Sequence, residues 1–90
     1  MSRTVYLNGE YLPEEEAKVS VFDRGFLMAD GVYEVTSVLD GKLVDFDGHL
    51  ARLERSLSEL DIEKPAAFDD LLEIHRELVR INNVVEGGVY

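Results

Sequence analysis

The chain contains no cysteine and no tryptophan, and only two of its 90 residues are proline. The absence of cysteine excludes disulfide bonds, thiolate nucleophiles and thiolate metal ligands, and it fits a reducing compartment. Long apolar runs are missing too, and Met1-Ser2-Arg3-Thr4 leads straight into a strand-like segment without the apolar core of a signal peptide. We therefore expect a cytoplasmic protein with no membrane partner.

Basic residues are scarce, with 9 Lys and Arg against 19 Asp and Glu, which gives a formal net charge of -10. Such a chain repels phosphate-rich polymers, so nucleic acid is not an expected partner. The acidity is most simply explained as an aid to solubility. The length suits one small domain, but it is too short to enclose a cofactor and a substrate, since such pockets usually lie between domains or subunits.

Two dipeptides predict tight hairpin turns, Asn8-Gly9 and Asp40-Gly41. Both fit two-residue turns whose backbone needs positive φ. The flanking segments are rich in β-branched and apolar residues and predict strands over residues 5–7, 10–12, 32–39 and 42–46. Residues 84–90 predict one more strand, with Gly87-Gly88 as a bend or bulge.

The segment between the two hairpins is less regular. Glu14-Glu15-Glu16 predicts a solvated loop, and residues 19–22 fit a short strand. The tetrad Phe26-Leu27-Met28-Ala29 is mostly apolar and stands between turn residues, which predicts a buried loop.

Two helices follow the second hairpin. Asp47 is placed to cap the first, and Leu50, Leu53, Leu57 and Leu60 form its apolar stripe up to an end near Asp61. Pro65 suits the opening of the second, which Asn82-Asn83 can terminate. The second helix has an apolar arc of Phe68, Leu71, Leu72, Ile74, Leu78, Val79 and Ile81, opposite Asp69, Glu73, Arg76, Glu77 and Arg80. The sequence therefore predicts an α+β fold, an antiparallel sheet covered by two helices.

Two ordered segments resemble a known family. Residues 23–35, DRGFLMADGVYEV, resemble the N-terminal signature of the D-amino-acid and branched-chain aminotransferases, which belong to the fold-type IV pyridoxal-phosphate enzymes. Residues 49–53, HLARL, resemble the second N-terminal motif of that family. The resemblance extends over nearly the whole chain, and the pair of motifs is far more specific than either alone.

The resemblance implies a small N-terminal domain that joins a larger C-terminal one, with pyridoxal 5'-phosphate between them. It also implies a homodimer with amino acid and 2-oxo acid substrates. The lysine that holds the cofactor and the carboxylate that pairs with the pyridine nitrogen lie in family members beyond the length of this chain. Residues 1–90 are therefore expected to be the N-terminal domain of a longer enzyme and to be inactive alone.

Arg52 is the candidate cofactor-binding residue. The chain has only three lysines, Lys18, Lys42 and Lys64, and none has the apolar surroundings that lower the pKa of an amine. A guanidinium forks onto oxyanions, and the family places its phosphate-binding arginine at the position that matches Arg52. On the residues alone, a surface ion pair is the alternative for Arg52.

Tyr33 is the candidate substrate-binding residue, because the corresponding family tyrosine points into the active site and a phenol suits a carboxylate. Glu34 faces the other side of the strand and is assigned a structural role, with Arg24 as a possible partner. His49 is a neighbour of Arg52 on one helix surface, either beside the phosphate or bonded to a carbonyl. His75 lies in the apolar arc and is assigned to packing, and no metal site is predicted.

The sequence therefore predicts part of an aminotransferase, with no catalytic residue of its own. Aminodeoxychorismate lyase resembles these enzymes in this region and uses the same cofactor, so an elimination remains an alternative. A non-catalytic interaction module built from the same half-fold is the third possibility. Neither the choice of D or L substrate nor the dimer geometry can be inferred from these residues.

Overall fold

The computed structural model describes residues 2–90, which form five β-strands and three α-helices. The chain divides into two compact units, one ending at Gly31 and one spanning Val32–Tyr90. The α+β class predicted from the sequence is confirmed, but the strands form two sheets and not one. Within residues 2–90, no helix has the length and apolarity needed to cross a membrane.

The first unit contains a hairpin of β1 (Thr4–Leu7) and β2 (Glu10–Pro13). Asn8 and Gly9 form its turn with φ of 49° and 91°, the positive values for which asparagine and glycine are suited. Tyr6 and Tyr11 are directly opposed, and their rings meet edge to face with centroids 5.1 Å apart. The predicted hairpin is thus confirmed.

The rest of the first unit differs from the sequence-based prediction. Glu14–Glu16 form a turn of 3₁₀-helix, and residues 19–22 form no strand. The predicted buried loop is instead a short exposed helix, α1 (Arg24–Met28), in which Phe26 and Met28 face solvent. Local polar contacts explain α1, because the Asp23 carboxylate accepts a hydrogen bond from the Gly25 N–H at 2.9 Å and Arg24 pairs with Asp30.

The second unit is a three-stranded antiparallel sheet in the order β4-β3-β5, with two long helices. Its strands are β3 (Thr36–Leu39), β4 (Lys42–Leu43) and β5 (Glu86–Val89). In β3 the residues alternate strictly, with Thr36 and Val38 buried and the two others exposed. The strands are shorter than predicted, since β4 stops where Asp45 turns the backbone into the left-handed region.

The two helices are α2 (Phe46–Glu59) and α3 (Phe68–Ile81). Asp45, not Asp47, is the N-cap of α2. Asp47 lies in the first turn, where its negative charge interacts favourably with the positive N-terminal end of the helix dipole. The prediction that Pro65 opens α3 is wrong, because residues 65–67 stay non-helical and Asp69 and Asp70 occupy the first turn. Asn82 ends α3 as predicted, and its side chain donates to the Leu78 carbonyl at 2.9 Å.

The apolar core of the second unit combines the sheet with both helices. Val38 from β3, Leu50 and Leu57 from α2, and Val79 from α3 are its buried apolar side chains among the described residues. Leu60, predicted to belong to the apolar stripe, lies at the C-cap of α2 and is about half exposed. The sheet thus has one face toward the helices. Glu34 lies in the segment just before β3.

Candidate active site

Glu34 lies at the centre of a polar cluster on the helix side of the sheet. Its Oε2 accepts a hydrogen bond from Arg52 Nε at 2.7 Å, and its Oε1 accepts one from Arg52 Nη2 at 2.9 Å. The same Oε1 lies 2.6 Å from His49 Nδ1. Because an ionised carboxylate only accepts hydrogen bonds, His49 donates through Nδ1–H.

The fold explains why these three side chains meet. His49 and Arg52 are three residues apart on α2 and therefore share one helix surface. Glu34 has the same parity as the buried residues Thr36 and Val38 of β3, which directs it toward the helices. The suggested pairing of Glu34 with Arg24 is wrong, since Arg24 bonds to Asp30 at 2.7 Å.

The cluster is electrostatically coupled. The hydrogen bond from Arg52 lowers the pKa of Glu34 from 4.5 to about 2, against the opposing effect of burial and with a further contribution from His49. In turn, the hydrogen bond to Glu34 raises the pKa of Arg52. The Glu34 side chain is only 12% exposed, whereas that of Arg52 is 66% exposed. Glu34 is therefore a fixed anionic anchor, and Arg52 extends from it into solvent.

Arg52 keeps donors for a further anion. A guanidinium has five N–H groups, and Glu34 takes one from Nε and one from Nη2. The two N–H groups of Nη1 and the second of Nη2 therefore have no protein acceptor among residues 2–90. Their arrangement suits two oxygens of a phosphate, and Glu34 restricts the rotation that would weaken such binding. The donor set of Arg52 thus fits a phosphate group.

Tyr33 lies next to this cluster. Its side chain is 69% exposed, and its ring stacks on that of Tyr90 with centroids 5.7 Å apart. Tyr33 is thus the chain neighbour of Glu34, the residue that pairs with Arg52.

The three lysines are all surface residues. The Lys64 ammonium lies 4.0 Å from the centroid of the Phe68 ring and 3.9 Å from a Glu54 oxygen. Neither Lys18 nor Lys42 is buried. An amine that captures an aldehyde is usually activated by burial in apolar surroundings, which these side chains lack. Residues 2–90 therefore provide an arginine with donors left for an anion but no buried lysine.

His75 has the packing role predicted for it. Its Nδ1–H donates to the Leu71 carbonyl at 2.7 Å, and its ring meets that of Phe46 edge to face at 4.8 Å. Burial lowers the pKa of His75, which favours the neutral imidazole. Within residues 2–90, no group of three His, Cys, Asp or Glu side chains is arranged to hold a metal ion.

Sequence reasoning missed the role of Glu34. Its parity with Thr36 and Val38 placed it on the helix-facing side, and the spacing of His49 and Arg52 placed both on one helix surface. Those two signals together point to the cluster. Whether the three side chains meet depends on how α2 docks on the sheet, and neither signal specifies that tertiary relationship.

Comparison with known proteins identifies relatives for nearly the whole chain. The family model for amino-transferase class IV matches residues 31–90. D-alanine aminotransferases from Staphylococcus haemolyticus and Staphylococcus epidermidis are 41% and 43% identical over 86 residues, which is 96% of this chain. An aminodeoxychorismate lyase from Bacillus subtilis is 37% identical over 84 residues, or 93% of this chain. The chain spans about 30% of the length of these curated relatives.

Proposed function

Since the chain belongs to the class IV aminotransferase family, we propose that it is the N-terminal domain of a pyridoxal-phosphate enzyme that transfers an amino group from an amino acid to a 2-oxo acid. The observation that carries this proposal is Arg52, anchored by Glu34 and still able to donate to an anion. The relatives are about three times as long as the chain, which supports the proposal that a second domain completes the site.

Arg52 binds the cofactor phosphate in this proposal. Two of its N–H groups hold Glu34, and the remaining three face the anion. Glu34 and His49 are positioning residues that keep the guanidinium in one orientation. When bound, pyridoxal phosphate supplies the aldehyde and the electron-withdrawing ring that accept the amino group.

Tyr33 contacts the substrate carboxylate through its phenolic O–H. Tyr33 is exposed and directly precedes Glu34, the partner of Arg52, which supports a contact with a ligand bound at Arg52. The reactive amine comes from polypeptide outside residues 1–90, because the three lysines of this chain are solvated. The isolated chain is therefore inactive and binds the cofactor weakly.

A D-amino acid is the substrate we favour. The two staphylococcal relatives are named D-alanine aminotransferase and are more similar to this chain than the lyase of Bacillus subtilis, at 41% and 43% against 37% identity. The same resemblance supports a homodimer, which light scattering on the complete enzyme would measure.

A lyase reaction is the second candidate function, and it is supported by the 37% identity to aminodeoxychorismate lyase. An assay of the complete enzyme separates the two. Conversion of D-alanine to pyruvate that requires a 2-oxo acid supports the transaminase. Pyruvate release from aminodeoxychorismate without any 2-oxo acid supports the lyase. If neither occurs, the non-catalytic interaction module is favoured.

A matched pair of substitutions tests the phosphate-binding role. Arg52 and Arg55 both lie on α2, both are largely exposed, and each pairs with a glutamate. In the complete enzyme, R52Q is expected to raise the Kd for pyridoxal phosphate by roughly tenfold or more, since charge-assisted hydrogen bonds are lost. R55Q should leave that Kd unchanged. Equal effects of the two substitutions on the visible absorbance titration would contradict the assignment of Arg52.

A further inference from the structure

A groove of about 890 Å³ lies in the second unit, apart from the Glu34 cluster. Its walls are Gly41 of the β3–β4 turn, the two residues of β4, the start of α2 at residues 45–47, and four residues of α3, namely Leu72, Arg76, Val79 and Arg80. We call it the α3 groove. Its volume lies within the range of about 300–1,000 Å³ typical of small-molecule sites, and Tyr33, Glu34, His49 and Arg52 do not line it.

The α3 groove is lined by exposed cations that keep donors not taken by a protein carboxylate among the described residues. Within residues 2–90, Lys42 and Arg76 form no ion pair with a protein carboxylate. Arg80 holds Glu77 through Nε and Nη2, so its Nη1 keeps both donors. Three of the nine Lys and Arg side chains of a strongly acidic protein thus line one groove.

Carboxylates line the same groove. Asp45 is the N-cap of α2 but makes no capping hydrogen bond with its side chain, and Asp47 makes no ion pair among the described residues. The backbone at Gly48 leaves room for the Asp45 carboxylate, because an added Cβ there would lie 2.5 Å from Asp45 Oδ2. The groove therefore presents accepting oxygens beside donating nitrogens.

An apolar surface completes the lining. Leu43, Phe46, Leu72 and Val79 contribute it, and Val79 is buried at its base. The edge contact with His75 holds the Phe46 ring in place. Such a surface favours a ligand with an apolar side chain, because burial in the groove removes that side chain from water.

From this combination we propose that the α3 groove binds a free amino acid with an apolar side chain, as a site separate from the one proposed above. The α-carboxylate pairs with Arg76 and Lys42, the α-ammonium pairs with Asp47 and Asp45, and the side chain lies on the apolar surface. This assignment stands on the groove alone and does not depend on the proposed function.

Charge complementarity selects a zwitterion over a simple ion. A simple anion would meet two carboxylates in the groove and the net charge of -10 on the chain. A simple cation would meet Lys42, Arg76 and Arg80. A zwitterion carries no net charge, and each of its ends has an opposite partner in the lining.

A titration of the ¹⁵N-labelled 90-residue chain with three matched probes tests the proposal. The probes are leucine, 4-methylpentanoate, which lacks the ammonium, and 3-methylbutylamine, which lacks the carboxylate. Leucine is expected to shift the amide resonances of Gly41, Phe46 and Val79 saturably, and each one-ended probe is expected to bind about tenfold more weakly or worse. No saturable shift up to the solubility limit of leucine overturns the proposal, as does equal binding of either one-ended probe.

Paired variants locate the site. R76Q and D47N are each expected to weaken leucine binding by about tenfold, whereas R55Q and D69N, at exposed positions of α2 and α3 outside the groove, leave it unchanged. Amide dispersion of each variant shows that the fold is kept. Shifts centred on Tyr33 and Arg52 in place of the groove residues would contradict the proposal, because leucine would then occupy the other site.

Discussion

Glu34 and Arg52 form a two-point ion pair, with Arg52 Nε 2.7 Å from Oε2 and Arg52 Nη2 2.9 Å from Oε1 of the carboxylate. The pair joins the segment before β3 to the middle of α2. Its two partners differ in exposure, so the carboxylate is shielded while the guanidinium contacts solvent. The same ion pair therefore contributes to the stability of the fold and orients the guanidinium that is proposed to bind phosphate.

The first prediction concerns acid stability. The pKa of Glu34 is lowered to about 2 from 4.5, so the unfolded chain binds the proton more readily than the folded one. The stabilisation is fully present above pH 4.5 and is lost as the pH falls toward 2. Because Arg52 is mostly exposed, solvent screening makes the effect much smaller than the full pKa shift would imply.

Glu34→Gln tests this, with urea unfolding followed by circular dichroism of the helices at several pH values. The variant is expected to be less stable than the wild type at pH 7 and to show a smaller loss between pH 4.5 and 2. Glu59→Gln is the control, because Glu59 forms an exposed pair with Arg55 that contributes at most about 0.5 kcal/mol. If both variants have the same pH profile as the wild type, the Glu34 pair does not stabilise the fold.

Features fixed by local chemistry could be predicted from the sequence. The turns at Asn8-Gly9 and Asp40-Gly41 need positive φ, and these residue types tolerate it, so the sequence predicts both hairpins. The apolar periodicity of α2 and α3 likewise determines which sides of the helices are buried. The exposure of Phe26 could not be predicted, because it depends on which other segments pack against α1. An apolar residue by itself does not indicate burial.

The second prediction concerns His75. Burial is the main cause that lowers its pKa, while the hydrogen bond to the Leu71 carbonyl opposes that change and the charge of His49 reinforces it. The unfolded chain therefore takes up a proton first, near pH 6.5, and stability decreases as the pH falls below that value. Urea unfolding at pH 8 and pH 5.5 measures the decrease, which should be smaller in His75→Leu.

Nuclear magnetic resonance provides an independent check on His75. Its ring Cε1–H signal should titrate with a midpoint below 6.5 in the folded chain. A midpoint above 6.5 would mean that the charged form is stabilised by a partner, and the expected loss of stability on acidification would then change sign.

The cluster around Glu34 shows what sequence patterns leave open. Parity along β3 and spacing along α2 indicate the surfaces on which Glu34, His49 and Arg52 lie, because both follow from backbone geometry. The partner of Glu34 depends on how α2 docks on the sheet, which is a tertiary relationship. The sequence suggests Arg24 as its partner, whereas the hydrogen bonds assign Arg24 to Asp30 and Arg52 to Glu34.

The third prediction concerns Thr36, which is 1% exposed and whose Oγ1 has no hydrogen-bond partner within residues 2–90. Burial of an unpaired hydroxyl is unfavourable, so Thr36→Val, which keeps the shape and the β-branch, should raise stability by about 1 kcal/mol. Thr36→Ser keeps the hydroxyl and loses the methyl group, so it should lower stability. A Thr36→Val variant that unfolds at lower urea than the wild type would show that Oγ1 is hydrogen-bonded in solution.

The fourth prediction compares two valines of the second unit. Val38 is fully buried in the central strand, directly opposite Leu43 on one side and Gly87 on the other, whereas Val85 is exposed. Val38→Ala removes two methyl groups from the core and leaves a cavity, so a loss of about 2 kcal/mol is expected. Val85→Ala should change the free energy of unfolding by less than about 0.5 kcal/mol. Because the core of the second unit has few buried side chains, the loss at Val38 is a large share of the stability of that unit. Equal effects of the two substitutions would mean that the helices do not cover β3 in solution.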